Sequence, residues 1–252
     1  MKTASYITGR PKELYVLDYG LFKVHSNGRV IGIVGFLIVT DAGERILVDT
    51  GFPVKYAEDG AQAAEEDRLG EFGVVLSLDH SNMPKAQLAK AGVSMDQIDL
   101  LIITHTHIDH VGGIADFPQA PIVMARAERA LDHPLYWGDV RPIDWPDRDY
   151  LLVDEDCEIG RGFQILFVPG HAPGQLAIML DLPETGAVLL TSDAISRPSE
   201  IDEAFAGSWN EKLAIEHGAR LMALAQDRDA MVIYGHCPDQ WPGLRKAPEA
   251  FR

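Results

Sequence analysis

Leu100-Leu101-Ile102-Ile103-Thr104-His105-Thr106-His107-Ile108-Asp109-His110-Val111-Gly112-Gly113 sets four ligand-type side chains within six positions, directly behind a continuous apolar run. Asp99 to Ile103 is a run of the kind that forms a strand buried on both faces. In the extended segment that follows, residues two apart point the same way, so His105 and His107 can grip one metal ion together. Asp109 and His110, beyond a bend, can turn towards a second. Burying four such groups as mere structure is costly, because each imidazole or carboxylate needs a partner. Gly112-Gly113 then allows close backbone packing where a helix is expected to begin.

Three further apolar segments end in a residue of the same type. Phe167-Val168-Pro169-Gly170 delivers His171, Leu189-Leu190-Thr191-Ser192 delivers Asp193, and Ile233-Tyr234-Gly235 delivers His236. Any one of these alone is more often a satisfied core or edge residue. Their recurrence after the histidine-rich segment points to a metal site. The other histidines, His25, His80, His133 and His217, lack this context and read as surface residues, although the loop carrying His80 could reach the site.

Around these anchors the chain alternates strands and helices. Strands are expected over 14–17, 31–40 and 45–48, the last two joined by a turn at Asp41-Ala42-Gly43-Glu44, and over 99–103, 121–124, 163–168, 176–180, 187–190 and 231–234. Helices are expected over 84–91, with Pro84 in its first turn and Gly92 as a stop, over 125–131 and over 211–225. Residues 53–83 suggest a helix followed by a loop crossing the site, and 132–150 an irregular insertion. The strands cluster in two halves, which fits two sheets packed face to face under outer helices, all within one domain spanning 1–252. Chemistry would then sit in loops where strand ends converge.

Bulk properties narrow the partners. Lys and Arg number 22 against 38 Asp and Glu, a formal charge of −16, and a surface so negative repels nucleic acid and anionic membranes. A small molecule is the expected substrate, and a neutral or cationic one would approach more easily. Two cysteines, Cys157 and Cys237, cannot make a disulfide scaffold. Cys157 reads as a surface or edge residue, and Cys237 as incidental to the neighbouring His236. Met1 to Ile7 lacks the apolar core of a secretory leader, so a cytoplasmic location is expected. The oligomeric state is left open between monomer and homodimer.

With these motifs together, the sequence resembles the metallo-β-lactamase superfamily in its two-metal hydrolase branch. The likeness covers nearly the whole chain and includes Asp49-Thr50-Gly51, which looks like the loop of a supporting aspartate. It implies a four-layer αβ/βα sandwich. It also implies two divalent ions: one held by His105, His107 and His171, the other by Asp109, His110 and His236, with Asp193 bridging. Zn²⁺ suits such ligands, as do Fe²⁺, Mn²⁺ and Co²⁺.

Within the superfamily, Pro169-Gly170-His171-Ala172-Pro173-Gly174, Asp193-Ala194 and Gly235-His236-Cys237-Pro238-Asp239-Gln240-Trp241 resemble the quorum-quenching N-acyl homoserine lactone lactonases and related small-lactone hydrolases. The implied reaction is opening of the lactone ester by a metal-bridging hydroxide, with Asp109 and Asp193 as catalytic carboxylates and Asp49 supporting a ligand. Those lactonases usually carry a tyrosine three residues after the bridging aspartate; here that position is Ser196. The irregular segments offer Phe72, Tyr136, Trp137 and Trp145 as further substrate contacts. Competing readings are a glyoxalase-II-like thioesterase or another small-ester or phosphotriester hydrolase, and, less favoured, a mononuclear iron enzyme oxidising sulfur compounds.

Overall fold

The structure, a computed structural model, describes residues 6–252 and the backbone of Lys2–Thr3. Its strands are β1 (Lys2–Thr3), β2 (Pro11–Val24), β3 (Val30–Thr40), β4 (Arg45–Val48), β5 (Gly73–Ser77), β6 (Leu100–Ile102), β7 (Ile122–Ala125), β8 (Tyr150–Val153), β9 (Cys157–Gly160), β10 (Phe163–Phe167), β11 (Leu176–Leu182), β12 (Gly186–Leu190) and β13 (Met231–Ile233). The helices are α1 (Lys55–Glu58), α2 (Gly60–Glu66), α3 (Pro84–Lys90), α4 (Ile108–Val111), α5 (Arg126–Arg129), α6 (Ser199–Asp202) and α7 (Glu211–Asp227).

Two mixed sheets form, in the orders β5-β2-β3-β4-β6-β7-β8 and β1-β9-β10-β11-β12-β13. Alternation along each strand explains how they stack. In β2 and β4, Leu14, Val16, Ile46 and Val48 face Ile165, Ile178, Leu180 and Val188 of the other sheet. The residues between them, Leu17, Tyr19 and Leu47, face outward, where they pack against Tyr56, Leu88 and Val111 of the helical layer. On the far side, Leu166, Met179 and Leu189 are covered by Ala214, Leu221 and Ala225 of α7. The result is four layers, helix–sheet–sheet–helix.

Several expectations need correction. Residues 53–83 hold two short helices and then β5, which extends the first sheet by pairing with β2. Strands β8 and β9, of only 4 residues each and with β8 abutting the irregular segment 132–150, do not stand out in the sequence, yet they lengthen both sheets. The helix expected after Gly112-Gly113 lies before it, as α4, with His107 at its N-cap. The glycines serve close approach instead: a Cβ on Gly112 would meet the Phe52 and Pro53 backbone at 2.2 Å. Cys157 is not a surface residue; it is buried in the core between the sheets, and both thiols are free. No helix among the described residues is long and apolar enough to cross a membrane.

Candidate metal centre

Every candidate ligand lies just beyond the end of a strand. His105 follows β6, Asp109 and His110 ride on α4, His171 follows β10, Asp193 sits in the 3₁₀ turn Ser192–Ile195 after β12, and His236 follows β13. Both sheets thus contribute, and their strand ends meet at one rim. Gly235 permits the last approach, since a Cβ there would meet the Ser192 carbonyl oxygen at 2.5 Å and the Asp193 carboxylate at 2.9 Å.

The seven side chains converge. His107 Nδ1 stands 3.0 Å from both His105 Nε2 and His171 Nε2. Three imidazole nitrogens at this spacing match a tetrahedral metal site, whose edge is roughly 3.3 Å for Zn–N bonds of about 2.0–2.1 Å. Alongside, His236 Nε2 lies 3.4 Å from Asp109 Oδ2, and His110 Nε2 lies 3.7 Å from the same oxygen. Asp193 stands between the groups. Its Oδ1 is 3.2 Å from His236 Nε2 and 3.4 Å from His110 Nε2, and its Oδ2 is 3.4 Å from His171 Nε2. His105, His107 and His171, and separately Asp109, His110 and His236, each form a triad suited to a cation.

Two buried atoms decide whether a metal fits. His110 Nε2 and Asp193 Oδ1 are shut from solvent and have no hydrogen-bond partner. A buried donor or acceptor left unmet costs about 1–3 kcal/mol, more for a charged group. Both atoms point into the cluster, where a divalent ion would satisfy them. The donor set of imidazole and carboxylate fits Zn²⁺ and its neighbours.

The electrostatics split the histidines. Burial, and then the nearby His110, hold His105 neutral well below its ordinary pKa, and burial with the charge of His171 brings His107 to about 3. Burial likewise lowers His171. These three present free lone pairs. Burial would also lower His110 and His236, but the carboxylates win: Asp109, Asp49 and Asp193 raise His110 well above normal, and Asp193 with Asp109 lifts His236 to about 9. Asp193 is buried too, yet His236 and His110 keep it ionised, well below the usual carboxylate range.

Outer groups aim the inner ones. Asp49 Oδ2 holds His110 Nδ1 at 2.8 Å and accepts the Thr104 hydroxyl at 2.7 Å, while its Oδ1 accepts the Thr104 N–H at 2.8 Å. The Thr104 hydroxyl also lies 2.8 Å from that of Ser192. Asp49 and Ser192 both adopt left-handed backbone, at φ 60° and 46°, where their strands break towards the rim. His236 Nδ1 is held 2.9 Å from the Gly32 carbonyl oxygen. Glu128 was not foreseen. Fully buried, it accepts from the Thr106 N–H and hydroxyl and from the Gly174 N–H, tying the His105 segment to the His171 loop. Its sequence setting, an acid in an ordinary short helix, carried no signal.

The cluster floors a cavity of about 560 Å³, which Phe72, Trp137 and Ser196 also line. Tyr136 and Trp145 are not brought there. Tyr136 is wholly buried, donating its hydroxyl to Asp67, because its backbone pairs with the His107 segment and turns the ring inward. Trp145 donates Nε1 to the Leu131 carbonyl at 2.7 Å and packs under Arg129. His25, His80 and His133 are exposed and His217 half-buried, all away from the cluster. The loop of His80 does not reach it, since His80 lines a separate groove with Met83 and Asp116.

Known proteins resemble this chain in sequence and fold. The family model of the metallo-beta-lactamase superfamily matches residues 30–236. An N-acyl homoserine lactonase of Bacillus cereus is 28% identical over 216 residues, covering 85% of this chain and 84% of that one. The N-acyl homoserine lactonase AttM of Azorhizobium caulinodans is 29% identical, covering 93% of this chain and 97% of its own. Among solved structures, a B. thuringiensis AiiA variant with N-decanoyl-L-homoserine bound at its active site has the same fold, with a TM-score of 0.82, 24% identity, and coverage of 96% of this chain and 100% of that one. Its fold, and a family model spanning most of its length, show that the chain belongs to the metallo-beta-lactamase superfamily.

Proposed function

We propose that the chain is a dinuclear metal-dependent hydrolase that opens the ester of a lactone, an N-acyl homoserine lactone or a related small lactone. The observation that carries this reading is the convergence of seven imidazole and carboxylate groups beneath a cavity that His107, Asp109, His171, Asp193 and His236 line, with buried His110 and Asp193 atoms lacking a hydrogen-bond partner. His105, His107 and His171 would hold one ion and Asp109, His110 and His236 the other, with Asp193 reaching both. Such ions, Zn²⁺ by preference, lower the pKa of a bound water towards neutrality and polarise a carbonyl oxygen.

The chain's own residues orient the rest. Asp49 and the Gly32 carbonyl fix the rings of His110 and His236, so the nitrogens facing the cavity cannot swing away. Hydrolysis adds the elements of water across the acyl carbon–ring oxygen bond, giving a hydroxy acid. Asp109, in the cavity wall, would carry the proton to the departing ring oxygen. Ser196 offers a hydroxyl at the wall where the lactonases usually carry tyrosine. The names of the relatives support the lactone reading, and two buried free thiols support a cytoplasmic setting.

The test is metal analysis followed by a hydrolysis screen of lactones, thioesters and phosphotriesters. Two ions per chain and fastest turnover of a lactone are expected. A single bound ion at full loading would overturn the dinuclear assignment, and a preference for thioesters would replace the substrate with that of a glyoxalase-II-like enzyme.

A further inference from the structure

The cavity above the cluster has two unlike walls. One is apolar, with Val24, Ile31, Phe72 and Trp137; the other carries Arg29, Ser196, Arg197, Glu200 and Glu203. Most of the charge on the second wall is internally matched. Arg197 stands 3.6 Å from Glu200 and also pairs with Glu203, and Glu200 accepts the Ser196 N–H at 2.6 Å.

Arg29 differs. It closes the turn between β2 and β3, with Nε donating to Asn27 Oδ1 at 3.2 Å, and its terminal nitrogens meet no carboxylate at ion-pair distance among the described residues. Burial, and then the neighbouring Arg197 cation, push its pKa down, against the opposing pull of the Glu203 and Glu200 carboxylates. Both carboxylates are already engaged, Glu203 by Arg197 and Glu200 by Arg197 and the Ser196 N–H, so a bound anion would give the half-buried Arg29 guanidinium a charge-assisted partner of its own. A plain hydrocarbon tail laid against this wall would desolvate it and return no hydrogen bond.

We propose that this wall recognises a carboxylate on the substrate, so that the compound taken is a lactone whose side chain ends in an anionic group held by Arg29. The substrate class rests on the lactone reading above, whereas the anion site does not. The overall charge of −16 opposes an anion only at range, because exposed charges are screened over about 8 Å at physiological salt, while Arg29 acts at contact.

N-succinyl-homoserine lactone, with its free carboxylate, and N-succinamoyl-homoserine lactone, with a neutral amide of the same shape, form a matched pair. Their kcat/KM ratio is measured on metal-loaded protein and on Arg29→Gln. Calorimetry gives the ratio of affinities for the corresponding γ-lactams, which resist ring opening. A charge-assisted pair is worth a factor of about ten to a hundred, so the native protein should favour the carboxylate by that factor and Arg29→Gln should bring both ratios near one. A native ratio near one for the lactams, or a ratio unchanged in Arg29→Gln, overturns the anion site. Lactams that keep the Arg29-dependent ratio while neither lactone is opened leave the anion site standing and sink the lactone reading. Lactones opened at equal rates, with lactams bound equally, do the reverse.

Discussion

Asp49 holds Nδ1 of His110 while the opposite nitrogen points into the cluster, so its charge would act on a bound metal through the ring. Asp49→Asn keeps the shape and removes the charge. Loss of such a supporting group typically weakens metal affinity about 10–100-fold, and a competition titration with a chelator should show that loss in a protein that still folds. Retention of native affinity would remove Asp49 from the site's support. In the proposed two-ion centre, Asp193→Ala should go further and strip both ions, because its two oxygens face both triads. Retention of both metals in that variant would refute the bridging role. Protons give a third handle at this scale. His236, at about 9 in the metal-free protein, is protonated at pH 7 and must be neutral to bind a metal. Metal uptake at pH 7 should therefore release protons, and apparent affinity should climb with pH through about 9 as His236 and the likewise raised His110 lose theirs. Calorimetry in buffers of different ionisation enthalpy reads the proton count; a count of zero at pH 7 would contradict it.

Glu128 acts between elements. From α5 it receives donors on the His105 segment and on the loop before β11, so one carboxylate sets the distance between the metal-facing loops. Glu128→Ala leaves several buried donors unmet at about 1–3 kcal/mol each. For a chain of this size each kcal/mol moves Tm by about 2–4 °C, so a fall of several degrees with weaker metal retention is expected, and Glu128→Gln should recover part of both. An unchanged melting curve in Glu128→Ala would show that the loops are set by something else. The strands that position the loops differ in how well they can be read. β3 and β6 announce themselves as unbroken apolar runs. β5, β8 and β9 do not, because runs of four or five residues leave too short a pattern and take their place from the partners they pair with. Tyr136 and Trp145 show the same limit for side chains: an aromatic in an irregular segment can face cavity or core, and only backbone pairing and a buried acceptor decide which.

We propose that residues 1–252 unfold as one domain, since the core between the sheets draws on both halves of the chain and the candidate ligands do too. Metal bound only to the folded state adds about 2.7 kcal/mol when its concentration is a hundred times Kd. Chelation should then lower a single cooperative melting transition by several degrees, and Zn²⁺ should restore it. Two separate transitions, only one of them metal-sensitive, would show that the halves fold independently.

The ligand types, the strands that bear them and the layered architecture were all legible in the order of residues. A buried strand must be apolar throughout, and a metal site must concentrate imidazole and carboxylate, so both leave dense local patterns. Glu128 beneath the loops, Arg29 on the cavity wall and the inward turn of Tyr136 could not be read in that way. Each is an ordinary residue in an ordinary setting, and its role comes from neighbours distant along the chain, 69 positions in the case of Tyr136 and Asp67. Such pairings exist only once the two sheets have closed on each other, because the free energy that places these side chains belongs to the packed core and not to their local sequence.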